Sequence, residues 1–290
     1  MEWVLYGAVA GVGRAMGMEG PAARAMWYTV RDMLTKEDHP TMTRRVLFVL
    51  LALLLVSAAG CREDVEDRLM LDMATFDRAY IPALMHTGGK VDAVKATLAM
   101  KQLKQDWGLL LMRQPTVAMW SETVRSVEET IAEADDLIDR GKYHEAHTAL
   151  ERIRGYMRDG RRASGIEYVL DHLTDFHEHM EVIAGMAEGL TPETIGKDDM
   201  MRMREVMPHL MGAWNGVTAS EVNAHAFGFS KDAYNRLGEF VRMETENLAA
   251  LDEALAAENR YSVVTSAKKV KPYYISVFRM FGDFAAMSSF

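Results

Sequence analysis

An all-α fold is predicted, with tandem up-and-down four-helix bundles following an N-terminal lipoprotein signal. Three observations predict it. Apolar residues recur at steps of three and four almost throughout, Gly- and Pro-containing breaks separate these stripes at short intervals, and one basic–apolar–small segment precedes them all. Strict alternation of apolar and polar residues, the mark of a half-buried strand, is nearly absent.

The leader comes first. From Met42, Arg44 and Arg45 form a short basic region and 46–56 an apolar one, and Ser57, Ala58, Ala59 and Gly60 supply small residues before Cys61. This is the order of a secretory signal. The apolar run falls short of the roughly 20 residues that span a bilayer. Small residues ending at Gly60 and Cys61 resemble the lipobox of bacterial lipoproteins. The resemblance implies that Cys61 is diacylated, becomes the mature amino terminus and anchors the chain facing the periplasm. By analogy with Gram-negative sorting, Arg62 in place of Asp favours the outer membrane. Residues 1–41 read as an upstream over-extension, with Met42 the start. The alternative is a genuine N-terminal helix with the 46–59 segment inside a core.

Downstream, Leu69, Met73, Phe76, Tyr80 and Leu84 share one helix face. So do Met100, Leu103, Trp107 and Leu110, and then Trp120, Val124, Val127, Ile131, Ala134 and Ile138. Ala146, Leu150, Ile153 and Met157 continue the pattern, followed by Val169, Leu173, Phe176, Met180 and Ile183. Such stripes are what bundle cores bury. Breaks at Gly88-Gly89, Gln114-Pro115, Gly141, 160–165, 189–196 and 228–230 leave short connections, so neighbouring helices should pack antiparallel. An internal echo pairs Tyr143, Ala149 and Tyr156 with Tyr261, Ala267 and Tyr274, and Met100 and Trp107 with Met207 and Trp214. We read 61–164 as the first bundle and 165–290 as a second, related one.

Two exported four-helix units resemble cytochrome c-prime and the soluble b-type four-helix cytochromes, although covalent haem attachment is excluded because Cys61 is the single cysteine. The segment 165–181 is similar to one in periplasmic proteins of proteobacteria, a resemblance that implies location and fold and carries no activity.

The net charge of −9 argues against nucleic acid as a partner, since phosphate binding needs a basic stripe. No serine-nucleophile elbow, zincin helix or dinucleotide loop is present, and no histidine follows a glutamate by three, as ferritin-like sites require. The densest ligand-type cluster is Asp171, His172, Asp175, His177, Glu178, His179 and Glu181. His177 and Glu181 are four apart, as are His147 and Glu151 on the preceding helix, and a hairpin near 161–165 would bring both pairs to one height. That set suits a transition metal (Zn, Cu or Fe). A b-type haem held by Met70 or Met73 with His144 or His147 is a weaker alternative. Met200, Met203, Met207 and Met211 read as core filler before Cu(I) ligands. Arg152, Arg154, Arg158, Arg161 and Arg162 form a basic patch beside the acidic 171–181 segment and read as making salt bridges or contacting a partner before binding phosphate. The first expectation for function is a non-enzymatic, lipid-anchored envelope protein that binds a protein partner or a small ligand; the second is a metal- or haem-binding bundle serving metal handling or electron transfer.

Overall fold

The computed structural model describes residues 67–285; residues 1–41, the leader at 42–60 and Cys61 lie outside them. The chain divides into two compact units, Met1–Met70 and Leu71–Phe290, and the helix packing belongs to the second. Regular structure among the described residues is entirely helical, as the apolar spacing predicts. Helix α1 covers 67–87. It is followed by α2 (Ala93–Arg113), the single turn α3 (Pro115–Ala118), α4 (Ser121–Asp139) and α5 (Tyr143–Ala163). The chain continues through α6 (Val169–Glu188), α7 (Lys197–Ala219), α8 (Lys231–Ala256) and α9 (Arg260–Met280). No helix among the described residues is long and apolar enough to cross a membrane.

Local chemistry sets the ends. Asp92 accepts a hydrogen bond from the Lys95 amide and starts α2, Ser230 does the same for Ala233 in α8, and Asn259 for Ser262 in α9. Gly141 and Gly165 both adopt left-handed backbone (φ 73° and 69°), letting the next amide reach back across the last turn. Lys142 thereby donates to the Leu137 carbonyl, and Ile166 to that of Arg161. These turns close α4 and α5.

In the first half α2 packs on α4 and α4 on α5. Phe76 of α1 lies against Trp107 of α2, and the Tyr80 hydroxyl donates to the Leu150 carbonyl of α5, which joins α1 to both neighbours. In the second half α6 packs on α7, α7 on α8, α8 on α9, and α9 returns to α6. The two sets repeat an aromatic pair. Phe76 and Trp107 sit 5.3 Å apart at 56°, and Phe176 and Trp214 sit 4.9 Å apart at 54°. All four rings are buried, as are Met100 and Met207. Offset aromatic contacts of this kind contribute about 0.5–1.5 kcal/mol beyond their area.

Helix α5 also packs on α6. Arg158 pairs with Asp175 at 2.9 Å and Glu178 at 2.6 Å, and Arg162 pairs with Asp175. Arg161, 1% exposed, grips Asp171 through Nε at 2.9 Å, stacks over the Tyr168 ring and lies 3.8 Å from Asp77. Arg158, Arg161 and Arg162 thus pair with the acidic start of α6, whereas Arg152 pairs with Glu133 of α4 and Arg154 with Glu151 of its own helix.

A candidate ligand cavity between the two halves

A cavity of about 790 Å³ opens where α1, the 88–92 loop, α5, α6 and α9 meet. That size falls within the roughly 300–1,000 Å³ of small-molecule sites. All four residues singled out as metal ligands line it: His147, Glu151, His177 and Glu181. The hairpin brings them together because α5 ends at Ala163 and α6 restarts at Val169, so facing turns run side by side. His147 Nε2 stands 3.3 Å from Glu151 Oε1, and His177 Nε2 stands 3.2 Å from Glu181 Oε1 and 3.9 Å from Glu151 Oε2.

Cations that the sequence reasoning did not place there complete the arrangement. Arg154, 7% exposed, pairs with Glu151 and donates to the Tyr274 hydroxyl at 3.0 Å. Its other terminal nitrogen is 3.4 Å from His177 Nε2. Lys271 holds Glu181 at 2.8 Å. The carboxylates are therefore already neutralised by protein cations. Among the described residues, no group of three or more His, Cys, Asp and Glu has an arrangement that could hold a metal ion. A metal entering here would have to displace a largely buried guanidinium and a lysine, a poor exchange for a cation.

Electrostatics follow from burial. Desolvation lowers the pKa of His147 and of His177, so both imidazoles favour the neutral form. His147 Nδ1 lies 2.9 Å from the Leu84 carbonyl, which can only accept, so Nδ1 carries the proton and Nε2 faces Glu151 with a lone pair. Glu181 is held down at about 2, first by its hydrogen bond with His177 and then by Lys271. Burial pushes the Tyr274 hydroxyl up to about 12, keeping it a neutral partner for Arg154. Gly88 lies directly under the His147 ring, where an added Cβ would fall 2.6 Å from the ring carbon Cε1. The Gly88-Gly89 break therefore does more than end α1: it lets the loop close against the histidine.

Apolar side chains supply the remaining wall. Leu84, Met180 and Phe278 are buried, Ile275 is half-buried, and Val91 and Val94 stand exposed at the rim. The other sequence candidates lie elsewhere. Met73 is fully buried in the core, Met70 is half-buried, His144 is exposed, and none of the three lines the cavity. Met200, Met203 and Met207 are buried and Met211 is half-buried, which fits a core stripe.

The chain matches no known family model, no curated protein and no solved structure.

Proposed function

We propose that this chain is an exported, lipid-anchored, non-enzymatic envelope protein that binds a small ligand in the cavity between two related halves. In this reading the leader ends at Cys61, which is acylated and becomes the mature amino terminus. The halves 61–164 and 165–290 are tandem up-and-down four-helix bundles. The cycle of helix contacts in the second half, and the twin Phe–Trp pairs at matching tilt, support the duplication. The observation that carries the function is the cavity itself, with an apolar wall beside a charge-balanced polar cluster in which Arg154, Glu151, Glu181 and Lys271 satisfy one another. Mostly apolar lining with a few fixed polar groups is what small-molecule sites present.

Full-length protein extracted from membranes of the expressing bacterium tests both parts. Intact mass should show cleavage before Cys61 and added acyl chains, and Cys61→Ala should release the protein from the membrane fraction. Anilinonaphthalene sulfonate should fluoresce on binding the purified protein, and Ile275→Trp, which fills the cavity from a half-buried position, should abolish that signal. An unacylated, uncleaved chain would sink the anchor. A probe signal unmoved by Ile275→Trp would sink the ligand site.

A further inference from the structure

The cavity has two polar ends of different character. Lys271 and Arg279 both line it from α9, eight residues apart and so about 12 Å along the helix, with Ile275 and Phe278 between them. At the Lys271 end the charges cancel among Glu151, Arg154, Glu181 and Lys271. At the Arg279 end they do not. Arg279 is exposed and rests over the Phe284 ring at 4.7 Å, and Lys90 stands exposed on the facing loop. Among the described residues neither one makes an ion pair with a carboxylate.

Three more features converge on that end. His86, at the close of α1, lines the cavity, and its Nε2 is buried with no hydrogen-bond partner among the described residues. Desolvation, with Lys95 next, lowers the pKa of His86, so the ring favours the neutral form. Second, α2 begins at this rim, and Ala93 and Val94 both line the cavity. A helix start presents amides without intrahelical acceptors and the positive end of the dipole. Third, the carboxylate that lines this rim, Asp92, is already committed: it accepts from the Lys95 amide at 3.1 Å and pairs with Lys95 Nζ at 3.4 Å. Two cations and a buried imidazole nitrogen, all without an anionic partner among the described residues, therefore surround the rim, while the wall leading away from it is apolar.

We propose that the cavity binds an amphipathic anion, its apolar body along Leu84, Met180, Ile275 and Phe278 and its anionic group between Lys90, Arg279 and His86. The proposal rests on the ligand-binding reading and adds the chemical class. A carboxylate and a phosphate monoester share the required chemistry: an oxyanion accepting charge-assisted hydrogen bonds at one tip of a hydrocarbon. A cationic amphiphile would meet Lys90 and Arg279 at the same place and be repelled.

Competition against anilinonaphthalene sulfonate on the full chain tests this, with dodecanoate, dodecyl phosphate, dodecanol and dodecylamine as competitors. At least one of the two anions should bind about tenfold or more tighter than dodecanol, and dodecylamine should be the weakest. The tighter of the two anions identifies the headgroup. The double variant Lys90→Ala/Arg279→Ala alters only exposed positions. It should remove the advantage of the anions and leave dodecanol unchanged. Equal affinity for dodecanol and both anions, or an anion preference that survives the double variant, would overturn the anionic class. If Ile275→Trp still abolishes the probe signal in that case, the ligand cavity stands without it. If no alkyl probe competes at all, both readings fall together.

Discussion

Glu244 lies on α8 in the register of Leu237, Leu248, Leu251 and Leu255, and it is fully buried among them. Among the described residues neither carboxyl oxygen accepts a hydrogen bond, and one N–H of the Asn247 amide is given to the Ser266 carbonyl at 3.2 Å. Desolvation pushes the Glu244 pKa up to about 9, offset only in part by Asn247, so the side chain is a neutral acid at pH 7. An acid whose folded pKa exceeds its unfolded one stabilises the fold least at high pH. Stability falls as pH rises above about 4.5 and the loss levels off near 9. Glu244→Gln keeps the shape and cannot ionise, so it should stabilise the protein by roughly 3 kcal/mol at pH 7 and by almost nothing at pH 4. Urea denaturation at both values measures this, and an equal advantage at the two would refute it. The position was legible: a glutamate seven residues after Leu237 and seven before Leu251 occupies a core register. Arg161 was legible in the same way, four residues after Met157. What periodicity could not show is which partner each finds. Tyr274 stands 120 residues from Arg154 in sequence, and only the closure of the second half brings them together.

At the scale of the helix, the echo between the halves is informative where it slips. Carried two residues back from Tyr143 and Tyr261, the echo sets Gly141 against Asn259, yet the left-handed residue closing α8 is Glu258, with φ 52°. Asn259 instead donates its amide to the Ala254 carbonyl, and its side chain caps α9. The second half thus makes the same reversal one residue earlier, because Asn259 serves the next helix. A left-handed non-glycine residue costs about 1–2 kcal/mol, less the entropy that glycine loses on folding. Glu258→Gly should therefore raise stability by about 0.5–1 kcal/mol. Its exposed pair with Arg204 at 3.5 Å contributes little to set against that gain. Thermal melting of the variant checks the sign, and a lower midpoint would show that the turn is not strained. Helix existence, face and approximate ends were readable from spacing and caps. The exact reversal was not, because Gly and Asn can both fill it and the choice depends on how the next helix begins.

For the molecule as a whole, the join between the halves decides whether they unfold together. Arg161 is buried at that join between Asp171 and Asp77, and burial pushes Asp77 up to about 6, with Arg161 opposing. Removing one member of such a cluster typically costs about 3–5 kcal/mol, since the remaining charges are left uncompensated. Arg161→Met should lower stability by that order and split a single cooperative calorimetric transition into two. A single, unshifted endotherm in the variant would show that Arg161 does not couple the halves. The pairing of Arg158, Arg161 and Arg162 with the acidic α6 segment was readable from their nearness in sequence, and so was the convergence of the two His–Glu pairs; that Arg152 and Arg154 turn to Glu133 and Glu151 instead was not. Lys271 and Arg279, which set the charge of the cavity, come from the last helix and had no such signal.

One consequence of the Glu244 side chain reaches beyond α8. The formal charge of −9 counts it as ionised, whereas the folded molecule keeps it neutral. Near neutral pH the unfolded chain lacks that hydrogen ion, so folding must draw one from the solvent. Assembly of the native state is thus a proton-consuming reaction, and the heat it releases depends on the buffer that supplies the proton.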